Sequence, residues 1–498
     1  MINLLNQIDP DLIQIELAKR KLKYFIQATY PEYKMGWFNE QICNELDLFL
    51  EEVRAKKSPR LMLFAPARSG KTEMVSRRFP AYALGKYPDI QMIATSYASD
   101  LAMRINRDVQ RIIDDPSYFR IFPNTRLSGK NIRSTSQGNF LRNADIFEIV
   151  DHKGAYRSAG VGGGITGMGG DILLVDDPIK DAEQSESVVY RQKVFDWFTS
   201  TLYTRASSGG GILIIMTRWH QDDLAGRLIE AQEKGEGDQW KILSFPAIAE
   251  ADEPNRKEGE ALQPERYSLE QLRQIKQAVG SRVWLSLYQQ RPSAVAGSVF
   301  KREHWMTYQP PTSDPQQLKE ALGITRTIQA WDTAFKTGTQ SDYSVGVTIG
   351  LAKNRYYVLD VSRTKIEFPE LKVLVNAQYS KWKPHQVLIE DLASGQSLIQ
   401  ELKRSTVIPI LKFKPDKDKI TKAWSVTPIT ESGLVYLPSD ANWLSDFLDE
   451  LCGFPTGAKH DDQVDAFVMA LSHISRGGQG IFGYTQMIAD QKAIEFSS

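Results

Sequence analysis

The feature that most constrains this chain is an apolar strand running straight into a loop of small residues and then a helix. Leu61-Met-Leu-Phe-Ala65 leads into Pro66-Ala-Arg-Ser-Gly-Lys-Thr72, and Glu73-Met-Val-Ser-Arg-Arg78 continues as a helix. A loop of this kind at a helix N-terminus aims several backbone N–H groups at one point, where they hold phosphate. Arg68, Ser69, Gly70, Lys71 and Thr72 are placed to form that cradle. The Lys71 ammonium would reach the β- and γ-phosphates of ATP, and the Thr72 hydroxyl would hold its Mg²⁺.

Two further strands complete a nucleotide site. Ile172-Leu-Leu-Val175 ends in Asp176 and Asp177. Asp176 emerges where a Mg²⁺-bound nucleotide sits, and Asp177 is the candidate to polarise the attacking water, with Glu183 and Glu186 as alternatives. Ile212-Leu-Ile-Ile215 runs on through Met216 to Thr217 and Arg218, so Thr217 can sense the γ-phosphate at a strand tip or simply cap the strand. The transition state also wants an arginine. Arg68 and Arg157 are both candidates, and either is equally explained as solvated or DNA-facing. Upstream, Gln41 can hydrogen-bond adenine while Trp37 and Phe38 stack on it; core packing explains the aromatics nearly as well.

A chain of 498 residues is too long for one ordinary core, so at least two domains are expected. The pattern divides it into an N-terminal helical segment (1–58), a P-loop ATPase core (59–245), a linker or lid region (246–320), a second α/β domain (321–478) and a tail (479–498). In the first domain, Leu61–Ala65, Ile90–Thr95, Ile172–Val175 and Ile212–Ile215 alternate with helical stretches, which predicts a parallel sheet covered on both faces. The run Gln309-Pro-Pro-Thr-Ser-Asp-Pro315 reads as a linker. After it, strands resume at Thr327–Trp331, Ser344–Ile349, Tyr356–Asp360 and Val387–Glu390.

Acidic residues sit at the ends of these later elements. Asp332 follows Ile328-Gln-Ala-Trp331, Glu390 closes Val387-Leu-Ile389, and His460-Asp-Asp-Gln-Val-Asp465 opens a helix. On helical spacing Asp461 and Asp465 share a face, and Asp462 lies about 100° round from Asp461. Carboxylates brought together repel unless cations sit among them. Asp332, Glu390, Asp461 and Asp462 are therefore candidate ligands for Mg²⁺ or Mn²⁺, as two ions that activate water and stabilise the leaving oxygen of a phosphodiester. Asp342 is a weaker candidate, and Lys412–Lys422 either lines a DNA groove or is a solvated loop. His220 and His460 lack a partner histidine at zinc-binding spacing.

Composition narrows the setting more than the activity. Lys+Arg and Asp+Glu both number 61, so no basic surplus advertises nucleic acid, although a local groove can still attract it. Two cysteines give no disulfide framework, which suits a cytosolic protein. No apolar run approaches the roughly 20 residues of a membrane span, and the first residues lack a signal-type core.

Taken in order, Ala65–Thr72, Ile172–Asp177, Thr217-Arg-Trp-His220, Tyr288-Gln-Gln-Arg-Pro292, Ala330-Trp-Asp-Thr333, Ile389-Glu-Asp391 and His460–Asp465 resemble the large subunits of tailed-phage terminases, from about Trp37 to Leu471. The resemblance implies an additional-strand RecA-type ATPase followed by a ribonuclease-H-like nuclease. It implies ATP-driven movement of double-stranded DNA into a procapsid and cleavage of concatemeric DNA. It also implies a homo-oligomeric ring on the portal protein, a small terminase subunit as partner, and the cytoplasm of an infected bacterium as location. By motif match, Lys71, Thr72 and Asp176 carry the ATPase roles, and Asp332, Glu390 and Asp462 the nuclease metals. Two positions depart from the pattern: Ala65 replaces the first loop glycine, and Met168 stands where many relatives have arginine, which raises Arg157 as its substitute. Competing readings are a helicase with an appended nuclease, a transposase-like enzyme, and an assembly protein with a decayed site. No second phosphate loop and no disrupted key residue favours them.

Overall fold

The computed structural model describes residues 9–127, 132–133, 140–165, 167–292, 298–333, 343–391, 393–414, 418–455 and 460–476. Asp342, residues 415–417 of the lysine-rich stretch and the expected tail 479–498 lie outside them. The chain forms two compact units, one of Met1–Arg273 with Arg282–Ala294 and one of Gln274–Ser281 with Val295–Ser498. The proline-rich run Gln309–Pro315 lies inside the second unit. No helix among the described residues is long and apolar enough to cross a membrane.

Among the described residues the main sheet of the first unit has seven strands: β1 (Arg60–Phe64), β2 (Gln91–Ser96), β3 (Ile146–Glu148), β4 (Ala155–Gly160), β5 (Gly170–Asp176), β6 (Ala206–Met216) and β7 (Lys241–Ser244). Their order across the sheet is β3-β4-β2-β5-β6-β1-β7. All neighbours pair in parallel except β3 with β4, so the expected parallel sheet gains one antiparallel edge strand. β6 lies between β1, which feeds the phosphate loop, and β5, which ends in Asp176. Ile172–Val175 and Ile212–Met216 are fully buried because apolar clusters cover both faces. The helix Ser99–Asp114 buries Ala102, Ile105, Val109, Ile112 and Ile113, the three- and four-residue spacing of one helical face. Register brings the tips level, with Ser96 beside Asp176, Asp176 beside Ile215, and Phe64 beside Met216.

The second unit also holds a seven-stranded sheet: β8 (Met306–Tyr308), β9 (Arg326–Asp332), β10 (Ser344–Ala352), β11 (Arg355–Thr364), β12 (Gln386–Glu390), β13 (Ile410–Phe413) and β14 (Val435–Pro438), in the order β8-β14-β11-β10-β9-β12-β13. β9, β10 and β11 form an antiparallel meander, and β12 joins β9 in parallel. Because Trp331 pairs with Ile389, Asp332 and Glu390 fall at the same sheet edge, one position further on. The helix Asp462–Arg476 packs on β9 and β10 through its apolar residues, among them Val464, Phe467 and Leu471.

Trp331 anchors that edge. Its ring is fully buried beside Leu371, Val375, Val387 and Ile389, and its Nε1 donates to Gln329 Oε1 at 2.9 Å. Gly346, opposite it on β10, leaves room for the ring; a Cβ there would sit 2.7 Å from Trp331 carbons. Gly346→Ala should therefore destabilise the second unit by about 1–3 kcal/mol through overpacking. Thermal or urea unfolding checks this, and an unchanged midpoint would mean the ring is not held as described.

A phosphate loop and an acidic sheet edge

In the first unit the loop after β1 is shaped by two left-handed residues, Arg68 (φ 60) and Gly70 (φ 89). Gly70 is required twice over, since a Cβ there would also meet the Tyr33 hydroxyl at 2.7 Å. Buried Asn39 donates to that hydroxyl (3.2 Å), which donates in turn to Gly70 O (3.4 Å). Thr72 then heads a π-helical turn, Glu73–Arg78.

Lys71 is buried, so its ammonium must be paired. Its Nζ donates to Ala65 O (3.2 Å) and to the Thr217 hydroxyl, and stands 3.5 Å from Asp177 Oδ2. Asp177 is itself left-handed (φ 45), and its Oδ1 accepts the Thr217 backbone N–H at 2.7 Å. The two strand tips are thereby tied together around one lysine. Asp176 is buried beside them, with Ser76 Oγ donating to its Oδ2 at 2.6 Å. Burial, then the adjacent Asp177 charge, pushes the Asp176 carboxyl up to about 7. Its other oxygen, Oδ1, and the buried Ser69 hydroxyl have no hydrogen-bond partner among the described residues. An orphaned carboxylate oxygen and an orphaned hydroxyl beside a buried lysine fit a divalent cation and a phosphate.

The remaining candidates of this unit are dispersed. Arg68 is exposed, and its carbonyl accepts Arg266 Nη1 at 2.5 Å. Arg157 turns its Nη2 to Gly164 O (3.3 Å). Glu186 is paired with Arg282, while Glu183 is exposed. Gln41 is half-buried on the helix Trp37–Arg54. The adenine-stacking role expected for Phe38 is corrected: it is fully buried, 5.6 Å from the Phe245 ring, and has no face to offer a base. Ser76 was not singled out in the sequence, although it stands one helical turn beyond Thr72 and so shares its face.

In the second unit, Asp332 and Glu390 meet the start of the helix Asp462–Arg476. Burial, then the like charges of Asp465, Glu390 and Asp462, hold the Asp332 carboxyl well above the usual carboxylate range. Asp462 is buried, and its Oδ2 accepts the Tyr343 N–H at 3.2 Å. Asp461 and Asp465 lie on the shared face expected from spacing, and both bind Lys419, at 2.9 and 2.6 Å. Asp465 is the addition to the expected set; burial pushes it up to about 6 against the pull of Lys419. Its signal was visible as the i+3 neighbour of Asp462. Lys422 stands 3.7 Å from Glu390, and Lys412 is 3.7 Å from Asp391. Of the lysines expected along a DNA groove, Lys412, Lys419 and Lys422 are thus partners of the acidic edge. Among the described residues no three acidic, histidine or cysteine side chains are spaced to hold an ion as they stand. The oxygen-only donor set and the mutual repulsion on Asp332 nevertheless suit a hard divalent cation.

The sequence matches two protein-family models: the N-terminal domain of the T4likevirus-type terminase large subunit over residues 62–306, and the terminase RNaseH-like domain over residues 329–474. No curated protein matches. Among solved structures, the large terminase of a thermophilic bacteriophage in complex with ATP-gamma-S is 13% identical, covering 86% of this chain and 98% of that one, with a TM-score of 0.45. The bacteriophage HK97 large terminase is 10% identical over 92% of this chain and 99% of that one (TM-score 0.37). The large terminase nuclease of another thermophilic phage, G20c, with bound magnesium is 17% identical over 36% of this chain and 98% of that one (TM-score 0.27). The two family models together span both units, and on them the chain belongs to the terminase large-subunit family, which joins a DNA-packaging ATPase to a nuclease of ribonuclease-H-like fold.

Proposed function

We propose that the two activities of this chain are carried by separate residue sets: Lys71, Thr72, Asp176, Asp177 and Thr217 for ATP hydrolysis, and Asp332, Glu390, Asp462 and Asp465 for DNA cleavage. The observation that carries this is the contrast in charge. One strand edge buries an ammonium among oxygen acceptors, and the other concentrates carboxylates until one of them resists ionising. The first suits a polyphosphate, and the second suits cations that bind a phosphodiester.

In the first site, Ser69 and the loop amides hold the phosphates, and Lys71 moves from its internal partners to the β- and γ-oxygens. Asp177, already bonded to the Thr217 amide, orients water, while Thr217 reads the γ-phosphate. Asp176, whose Oδ1 has no hydrogen-bond partner among the described residues, would hold Mg²⁺. A cleft of about 240 Å³, lined by Tyr30, Tyr33, Gln263 and Arg266, would hold the base. At the acidic edge, a pair of divalent ions, when bound, supplies a nucleophilic water and neutralises the leaving oxygen. Lys419 and Lys422 then give up their carboxylate partners and face the DNA backbone instead. Family membership supports a homo-oligomeric ring on the portal protein, working with the small terminase subunit in the host cytoplasm. The transition-state arginine is Arg68 or Arg157, acting within the subunit or on a ring neighbour.

Lys71→Ala should abolish ATP hydrolysis and translocation while leaving metal-dependent plasmid cleavage within about twofold, and Asp332→Ala should do the converse. A folded variant that lost both activities would contradict separate sites.

The raised Asp332 carboxyl gives a second test. The native state holds its proton more tightly than the unfolded chain, whose value is 3.8, so stability falls as pH rises from there through the native value. In chelator, Asp332→Asn should therefore raise the melting temperature at pH 8 and raise it less as pH falls. Added Mg²⁺ or Mn²⁺ should erase the gain by stabilising the wild type. A variant less stable than wild type at pH 8 would show that Asp332 is not under like-charge repulsion.

A further inference from the structure

The motif Tyr288-Gln-Gln-Arg-Pro292 has no part in either site as described so far, yet it is anchored more firmly than a connector needs. Tyr288 stacks on Trp284 with ring centres 5.1 Å apart, and its carbonyl accepts the Ala247 N–H at 2.7 Å. Buried Gln289 makes a two-point clamp on Ile248, accepting its N–H and donating to its carbonyl, both at 3.0 Å. Gln290 is buried in a left-handed conformation (φ 56), which costs a residue with a side chain more than it costs glycine. Its Nε2 donates to Leu287 O at 2.5 Å, and its Oε1 accepts the backbone N–H of Arg218 at 3.2 Å.

That last bond reaches the nucleotide site. Arg218 directly follows Thr217, whose hydroxyl receives Lys71 and whose amide binds Asp177. The Arg218 side chain is fixed as well: its Nε donates to fully buried Asp223 at 2.9 Å, and its guanidinium lies 5.1 Å from the ring of Phe64, the last residue of β1. These contacts tie the Arg218 side chain to Asp223 and to the end of β1. The Arg218 backbone amide, next to Thr217 at the end of β6, is the group that Gln290 holds. Two residues later the chain reaches Pro292, and the second unit resumes at Val295.

We propose that Gln290 is a positioning residue which sets the backbone at Thr217–Arg218 and carries the nucleotide state of that strand tip to the chain leading into the nuclease unit. This rests on the reading of Thr217 as the γ-phosphate contact. The bond acts on hydrolysis through the placement of Thr217 and Lys71 rather than by touching ATP.

The test uses the full-length protein with two substitutions. Gln290→Ala removes the amide, and Gln290→Gly removes it while suiting the left-handed backbone, so the second variant folds even where the first is strained. Expected in both is a roughly tenfold lower kcat for ATP with KM within about twofold, because the transition state loses alignment while ground-state binding remains. Hydrogen exchange should report the coupling directly. In wild type, peptides covering Arg218 and residues 284–292 exchange differently with ATP-γ-S and with ADP; in the variants Arg218 exchanges faster and the difference at 284–292 disappears. If Lys71→Ala is inactive while both Gln290 variants keep wild-type kcat and the nucleotide-dependent exchange, the coupling role is wrong and the site reading stands. If Lys71→Ala hydrolyses ATP normally, the site reading fails and this inference fails with it.

Discussion

A buried ammonium organises the first unit. Lys71 cannot leave water unless oxygens replace it, and the ones that do so come from three strand ends: the Ala65 carbonyl after β1, Asp177 after β5 and Thr217 after β6. This explains why register matters more than the length of any strand. Slipping β6 by one residue would turn Thr217 away from Lys71 and exchange the two buried faces of Ile212–Met216, setting each side chain against a cluster packed for its neighbours. The same strand ends hold Asp176, so the groups that bind phosphate and cation are set by one sheet edge.

The second unit obeys the same rule with the sign reversed. There the sheet edge and one helix start bring carboxylates together, and Lys419 and Lys422 supply part of the missing positive charge. The arrangement is stable enough to fold, yet Asp332 and Asp465 are both pushed towards their neutral forms. Such a site is poised for cations, because each ion relieves repulsion that the protein alone only partly offsets. The cost of holding the site is set by packing beneath it, where Trp331 fills the space that Gly346 leaves open.

Much of this was legible in the sequence because polar residues at the ends of apolar strands declare themselves. Asp176, Thr217, Asp332 and Glu390 each follow a run of buried residues, and parallel pairing then places them at a shared edge without further information. The additional strand between the loop strand and the Asp176 strand, and the antiparallel meander of the second sheet, are matters of topology that local periodicity does not encode. Helical spacing put Asp461 and Asp465 on one face, but whether that face or Asp462 met the sheet depended on how the helix rolled onto β9 and β10. Aromatic residues near the nucleotide gave an ambiguous signal, since Phe38 serves the core while Tyr33 reaches the loop. Gln290 was invisible as chemistry because its partner lies far back in the chain and its role depends on a left-handed backbone.

The most direct test of two electrostatically distinct sites is Mn²⁺ binding to the full-length protein, followed by electron paramagnetic resonance with and without ATP-γ-S. One class of Mn²⁺ should bind without nucleotide and vanish in Asp332→Asn. A second should appear only with nucleotide and survive that substitution. Mn²⁺ binding that always required nucleotide, or that was untouched by the loss of the Asp332 charge, would contradict an independent cation site at the acidic edge.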